Sequence, residues 1–312
     1  MKLILGTMTF GGQVDAQAAR EMINEFRAAG NNHIDTAHVY CDGKTETLLG
    51  KILAPEDRAD RYLATKVNPW NDGGLRPQSV DRQFRQSLQR LESDRVDLLY
   101  LHSPDLDTPV RDTLEACWRL FEGGTFTDFG VSNYAAWQVA EIVHQCELNG
   151  WMRPSVYQGM YNALTRDVER ELFPCLRNYG ISFYAYNPLA GGLLTGKYKS
   201  GVNKPETGRF AQHEAYRGRY WKDNYFAAME DLHRTCTELD IAPTAAALRW
   251  LVHHSSLTAD AGDGIVLGAS RVSQLQENMI ACTQGPLPDP LLQVLDRGWD
   301  ATRPDCMKYF RP

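Results

Sequence analysis

Four polar residues stand at or just beyond the ends of successive short apolar runs. Asp35 lies in His33-Ile34-Asp35-Thr36 and Tyr40 five residues later. Lys66 closes Leu63-Ala64-Thr65-Lys66, and His102 closes Leu99-Tyr100-Leu101-His102. Their types suit one chemistry. A tyrosine of ordinary pKa, about 10, is a poor acid at neutral pH. An ammonium beside it stabilises the phenolate and lowers that pKa, and an aspartate fixes the ammonium. A histidine on the next run donates to an oxygen. The set is a proton donor aimed at an oxygen that gains negative charge, as hydride addition to a carbonyl requires. The bland alternative is a structural ion pair of Asp35 with Lys66 and two bystanders, since a charge at the end of an apolar strand is costly unless paired.

The chemical reading needs all four on one mouth. Apolar runs at 3–7, 33–36, 62–66, 96–102, 128–132, 155–158, 181–186 and 264–268 read as eight strands. Most are continuous rather than alternating, which suits strands covered on both faces. Helical patterns lie between them at 16–29, 77–91, 109–121, 135–149, 168–178, 244–253 and 272–281. Gly30 is a stop signal for the first and Pro77 a first-turn residue for the second. Strand-then-helix repeated eight times predicts a single-domain (β/α)8 barrel over 1–312, with the four residues at its C-terminal face. The segment 187–223 breaks the rhythm. It reads as a long functional loop after the seventh strand. Its basic residues Lys197, Lys199, Lys204, Arg209, Arg217, Arg219 and Lys222 suit a phosphate-bearing ligand.

The 312 residues carry a net charge of -6, which argues against a nucleic-acid partner. No run of 18 apolar residues is present, so no membrane span is expected, and the apolar part of the first six residues is too short for a signal peptide. Cys41, Cys117, Cys146, Cys175, Cys236, Cys282 and Cys306 are odd in number and contain no C-x-x-C. A disulfide framework and a zinc site are not expected, and a reducing cytoplasm is. His253 and His254 are adjacent on a helix and point apart, so they form no metal pair.

Asp35, Tyr40, Lys66 and His102 stand together with Gly-Val-Ser-Asn at 130–133 and Ala-Tyr-Asn-Pro-Leu at 185–189. With these the chain resembles the aldo-keto reductase superfamily, from Leu5 to Arg311. Finer runs, Tyr157-Gln158-Gly159-Met160-Tyr161-Asn162, 184–198 and Tyr216-Arg217-Gly218-Arg219-Tyr220-Trp221-Lys222, resemble its aflatoxin-aldehyde reductase branch. The resemblance implies a (β/α)8 barrel binding NADPH across its C-terminal face and reducing aldehydes, with Tyr40 as acid. It implies Ser132, Asn133 and Gln158 around the carboxamide, Asp35 among the cofactor-binding residues and Tyr186 stacked on the nicotinamide. Asn187, Pro188, Leu189, Ala190, Gly191, Gly192, Leu193, Leu194, Thr195, Gly196 and Lys197 would wrap the pyrophosphate. Gly268 opens a helix N-terminus, a ready anion site. There Ser270, Arg271 and, from the loop, Arg209 take the 2′-phosphate, and Gln274 and Asn278 the adenosine. Arg271 has the alternative of a solvated helix-start residue, and Tyr186 that of plain core.

Two impostor motifs are set aside. Gly191-x-x-x-x-Gly196-Lys197 lacks the magnesium-binding hydroxyl of a P-loop, because Tyr198 stands there. Gly262-x-Gly264 precedes a strand and is no Rossmann fingerprint. The aromatic run Tyr216, Tyr220, Trp221, Tyr225, Phe226 reads as packing rather than a stacking platform. The branch further implies a homodimer and a substrate pocket of His102, Tyr216, Arg219 and Arg311 beneath a C-terminal tail. Two arginines suit a carboxylate. The expected substrates are small aldehydes with a distal acid, such as succinic semialdehyde or 2-carboxybenzaldehyde, or dicarbonyls. Two departures from the branch stand: a shorter stretch between Phe210 and Tyr216, and Pro312 after Arg311. Rival readings on the same barrel are an NADPH-binding regulatory subunit of the channel-β type and a biosynthetic ketoreductase.

Overall fold

The eight apolar runs form eight parallel strands: β1 (Lys2–Gly6), β2 (His33–Asp35), β3 (Tyr62–Val67), β4 (Leu98–Leu101), β5 (Asp128–Ser132), β6 (Val156–Met160), β7 (Ser182–Tyr186) and β8 (Gly264–Gly268). Each pairs with the next, and β8 pairs back onto β1 from Lys2↔Gly264 to Gly6↔Gly268, closing a (β/α)8 barrel. The computed structural model describes residues 1–53, 60–198, 205, 208–212 and 214–311. The loop lysines Lys199 and Lys204 and the final Pro312 lie outside the described residues.

The barrel is filled, not open. Ile4, Ala64, Leu98, Tyr100, Val156, Tyr184 and Val266 point inward and pack as one cluster. Tyr100 takes the space that Gly130 leaves on the neighbouring strand. A Cβ at Gly130 would sit 2.5 Å from the Tyr100 ring. A second, larger cluster lies between the strands and the surrounding helices.

Helix α1 (Ala16–Ala28) starts where the Asp15 carboxylate accepts from the Ala18 N–H at 2.9 Å. Then come α2 (Lys44–Ile52), α3 (Pro77–Arg90), α4 (Val110–Glu122), α5 (Ala136–Asn149) and α6 (Leu172–Tyr179). The pattern at 168–178 is divided, a 3₁₀ turn at Asp167–Glu169 preceding α6. Helix α2 escapes the apolar periodicity because its inward face carries Thr45 and Glu46, both fully buried.

The segment after β7 is more ordered than its composition suggests. It holds a 3₁₀ turn (Ala190–Thr195), two short helices, α7 (Arg209–Gln212) and α8 (Glu214–Tyr220), and then α9 (Asp223–Glu238) and α10 (Pro243–His253). Its aromatic residues pack on one another. The rings of Tyr198, Phe210 and Trp221 meet at 5.1–5.4 Å, and Phe226 caps Trp221 at 4.9 Å. Tyr220 and Tyr225 are buried. Arg217 and Lys222 are also structural, donating to the Phe210 and Asp305 carbonyls. Helix α11 (Val272–Thr283) follows β8, and α12 (Asp289–Thr302) packs against α9.

The chain then returns over the mouth of the barrel. The Tyr309 hydroxyl accepts from the Ala136 N–H at 3.0 Å and donates to Glu171 at 2.7 Å. The Arg311 N–H reaches the Asn133 carbonyl at 3.0 Å. All seven cysteines are free thiols. Among the described residues no helix is long and apolar enough to cross a membrane, and no group of His, Cys, Asp and Glu is arranged to hold a metal. His253 and His254 serve the backbone instead, at the Gln284 carbonyl and the Leu287 N–H.

Candidate active site

The strand ends bring the four residues together. Lys66 on β3 and Asp35 at the end of β2 are both buried, with the ammonium 2.6 Å from Asp35 Oδ2. Lys66 also donates to the Thr36 carbonyl at 2.8 Å and to the Tyr40 hydroxyl at 3.5 Å. Its Nζ sits over two rings, Tyr40 at 5.1 Å and Tyr100 at 5.4 Å. The other Asp35 oxygen accepts from Gln158 on β6 at 2.8 Å. His102, one residue beyond β4, meets the Tyr40 ring edge-on with centroids 5.9 Å apart. Each of the four therefore touches another.

The electrostatics correct one expectation from the residue types. Burial and the nearby Asp35 charge push the Tyr40 phenol well above its ordinary value, with Arg209 acting in the opposite direction. Tyr40 keeps its proton at neutral pH. Lys66 is itself pulled down by burial, against the Asp35 charge and hydrogen bond that hold it up. Desolvation dominates because both groups sit among apolar strand residues. Burial, Lys66 and Arg311 hold the His102 imidazole well below its ordinary range, so it is neutral. Its Nδ1 has no hydrogen-bond partner among the described residues.

Around this cluster the other expected side chains form one network. Asn133 donates to the His102 carbonyl and to Ser132 Oγ, both at 2.9 Å, and accepts from the Tyr186 hydroxyl at 2.7 Å. Asn133 and Asn187, directly after β5 and β7, both adopt positive φ (65° and 56°), which asparagine tolerates better than most residues. Asn187 accepts from the Tyr216 hydroxyl at 3.3 Å. Tyr186 is half-buried at the mouth and packs against the barrel core.

In the turn that follows, Ala190, Leu193 and Leu194 are buried and the Thr195 hydroxyl is bonded to the Gly192 carbonyl. Pro188 is buried and Leu189 half-buried. Gly191, Gly192 and Gly196 are part-buried, a Cβ at Gly191 lying 2.8 Å from the Tyr216 ring, and Lys197 is exposed. Gly191 and Gly192 have φ of 69° and 103°. At the exposed Gly268 a side chain would meet nothing nearer than the Arg209 guanidinium, 4.0 Å away. Ser270 bonds to Gln274 at 3.0 Å, Asn278 is buried, and Arg271 is exposed at the N-cap of α11.

Tyr216 lies between Arg209 and Arg219, each guanidinium 5.0 Å from its ring. Arg311 is half-buried, not solvated. Burial and the Arg219 charge hold it below its ordinary range, so the two cations feel each other. Among the described residues neither forms an ion pair. Trp70, just beyond β3, was not singled out by residue type. It meets the His102 ring edge-on at 5.1 Å and carries Arg311. An aromatic residue four positions after the strand-end Lys66 was the signal available for it.

A polar constellation at the C-terminal mouth of a closed parallel barrel defines an enzyme of the barrel class. The aldo/keto reductase family model matches residues 2–297, and the chain belongs to that family: it is an oxidoreductase acting on carbonyl groups. It is 47% identical to aflatoxin B1 aldehyde reductase member 2 of Mus musculus, over 99% of this chain and 87% of that one. It is 45% identical to aflatoxin B1 aldehyde reductase member 4 of Homo sapiens, over 98% and 96%. The aldo-keto reductase pigE of Monascus ruber is 36% identical over 93% and 89%.

Proposed function

We propose that the protein reduces aldehydes with NADPH, Tyr40 giving the proton. The observation that carries this reading is the Lys66 ammonium held between Asp35 and the Tyr40 hydroxyl, at 2.6 and 3.5 Å, with the His102 ring edge-on to Tyr40. Tyr40 stays protonated at neutral pH and gives its proton to the carbonyl oxygen. Lys66 faces the phenolate left behind, and Asp35 keeps Lys66 in place. A neutral imidazole has one N–H, which His102 uses to orient the carbonyl oxygen. A bound nicotinamide cofactor supplies the hydride.

The residues present fit such a cofactor. The open space at Gly268 with Arg209 beside it would accept a phosphate, and the N-terminus of α11 would add an anion site. Lys197 and Arg271 add exposed cations on the same face. Ser132, Asn133 and Gln158 supply amide-binding groups, and Tyr186 a ring. The relatives that carry aldehyde reductase in their names support aldehydes over other carbonyls. Arg219 and Arg311, close together and without an acidic partner among the described residues, favour a substrate bearing a carboxylate. The test is NADPH oxidation by the wild-type protein against a panel of aldehydes and ketones. Turnover of short acid-bearing aldehydes is expected, and no turnover of any aldehyde overturns the reading.

A further inference from the structure

We infer that Arg90 is a positioning residue for Tyr40, acting on the turn that carries the phenol; the inference rests on Tyr40 as the proton donor. Tyr40 begins a 3₁₀ turn of unusual shape, with φ of 49° at Cys41, 55° at Asp42 and 84° at Gly43, before α2 starts at Lys44. Only the last has glycine's freedom, so the turn persists because its surroundings over-determine it.

Arg90, in the last turn of α3, supplies those surroundings. Its NH1 donates to the His38 carbonyl at 3.1 Å, two residues before Tyr40. The same nitrogen donates to Glu46 Oε2 at 3.3 Å, in the first turn of α2. Between these two points its guanidinium fills the space beside Gly43, where a Cβ would collide with it. Each anchor is in turn fixed to β3. The His38 N–H donates to the Lys66 carbonyl at 3.1 Å, and Glu46 Oε1 accepts from Thr65 at 2.6 Å. Glu46 has no solvent exposure, and the guanidinium and the Thr65 hydroxyl are its side-chain partners. One side chain thus grips both flanks of Tyr40 and ties them to the strand that carries Lys66. The geometry it fixes is the 3.5 Å contact between Tyr40 and Lys66.

The experiment compares Arg90→Ala, Arg90→Lys and Glu46→Gln with wild type and Tyr40→Phe in the full-length protein. The readings are NADPH affinity, kcat per titrated NADPH site, the solvent deuterium isotope effect and the melting temperature. Arg90→Ala is expected to bind NADPH normally, while kcat per site falls about 10²-fold, the cost of a misplaced reacting group. The isotope effect rises as proton transfer becomes limiting. Guanidinium ion at sub-denaturing concentration restores part of kcat, and Arg90→Lys recovers less than wild type because an ammonium lacks the fork. Should Arg90→Ala not fold, Glu46→Gln, which preserves shape, carries the test with a smaller fall in the same direction. If kcat per site and the isotope effect are unchanged while the melting temperature drops, Arg90 is a stability residue and the inference is overturned. If Tyr40→Phe keeps wild-type kcat, it is the reading of Tyr40 that fails.

Discussion

Arg311 lays its guanidinium 4.8 Å above the Trp70 ring. A flat cation on an indole face is a favourable contact, and it fixes where the last described residue of the tail points. Trp70 in turn abuts His102, so this cation is held beside the expected position of the carbonyl.

That arrangement predicts a preference for acid-bearing aldehydes. Wild type should show a lower KM for 2-carboxybenzaldehyde than for benzaldehyde. The advantage should shrink tenfold or more in Arg219→Ala and Arg311→Ala, the loss of one charge-assisted contact of about 1.5–3 kcal/mol. Trp70→Ala should weaken it too, by freeing Arg311. A wild type indifferent to the carboxylate would remove the acid pocket.

Tyr40→Phe tests the chemistry directly. General acid catalysis contributes about 10²–10⁴-fold. The variant should lose that much kcat and still bind NADPH, as fluorescence titration would report. Because burial raises the Tyr40 phenol above 10, the reductive kcat should hold through neutral and mildly alkaline pH and decline only beyond. A loss of activity on passing from pH 7 to 9 would contradict this assignment.

Cofactor choice is predicted to run through Arg271. Removing its charge should raise the KM for NADPH about tenfold or more, the same magnitude as one charge-assisted bond, and leave that for NADH nearly unchanged. An equal effect on both cofactors would take Arg271 away from the 2′-phosphate.

At the opposite end of the barrel His33 stacks on Tyr62 with ring centres 4.3 Å apart. Burial first, and then the Lys2 charge, lower its pKa from 6.5 to about 4. The unfolded chain therefore binds a proton between those values that the folded chain refuses. The stabilising contribution is complete above pH 6.5 and is lost as pH falls toward 4. In urea titrations across that window, His33→Phe should show a shallower decline in unfolding free energy than wild type. Identical slopes would mean that another group governs the acid limb.

The barrel was legible because continuous apolar runs alternate with helical periods, and the four mouth residues because polar side chains end such runs. Other features were hidden for definite reasons. Helix α2 buries a carboxylate, so its inward face does not look apolar. Helices α9 and α12 pack on each other outside the strand–helix alternation that organised the reading. The direction of the Tyr40 shift was missed because residue types reveal the sign of a neighbour's charge but not the depth of burial, which here outweighs it. The placement of Trp70 under Arg311 depends on a tail that returns from the far end of the chain, and no local pattern encodes that meeting.

The pairing of Lys2 with Gly264 has a consequence for how the molecule is made. The first strand leaves the ribosome long before the eighth exists, so its outer edge stays without a partner through most of synthesis. Exposed strand edges invite pairing with other chains. Contacts between distant parts of a sequence also slow folding. The interval before β8 emerges is thus when this chain most needs protection from its neighbours, and the Asp35–Lys66 pair on the adjacent strands β2 and β3 has its sequence in place well before the circle can close.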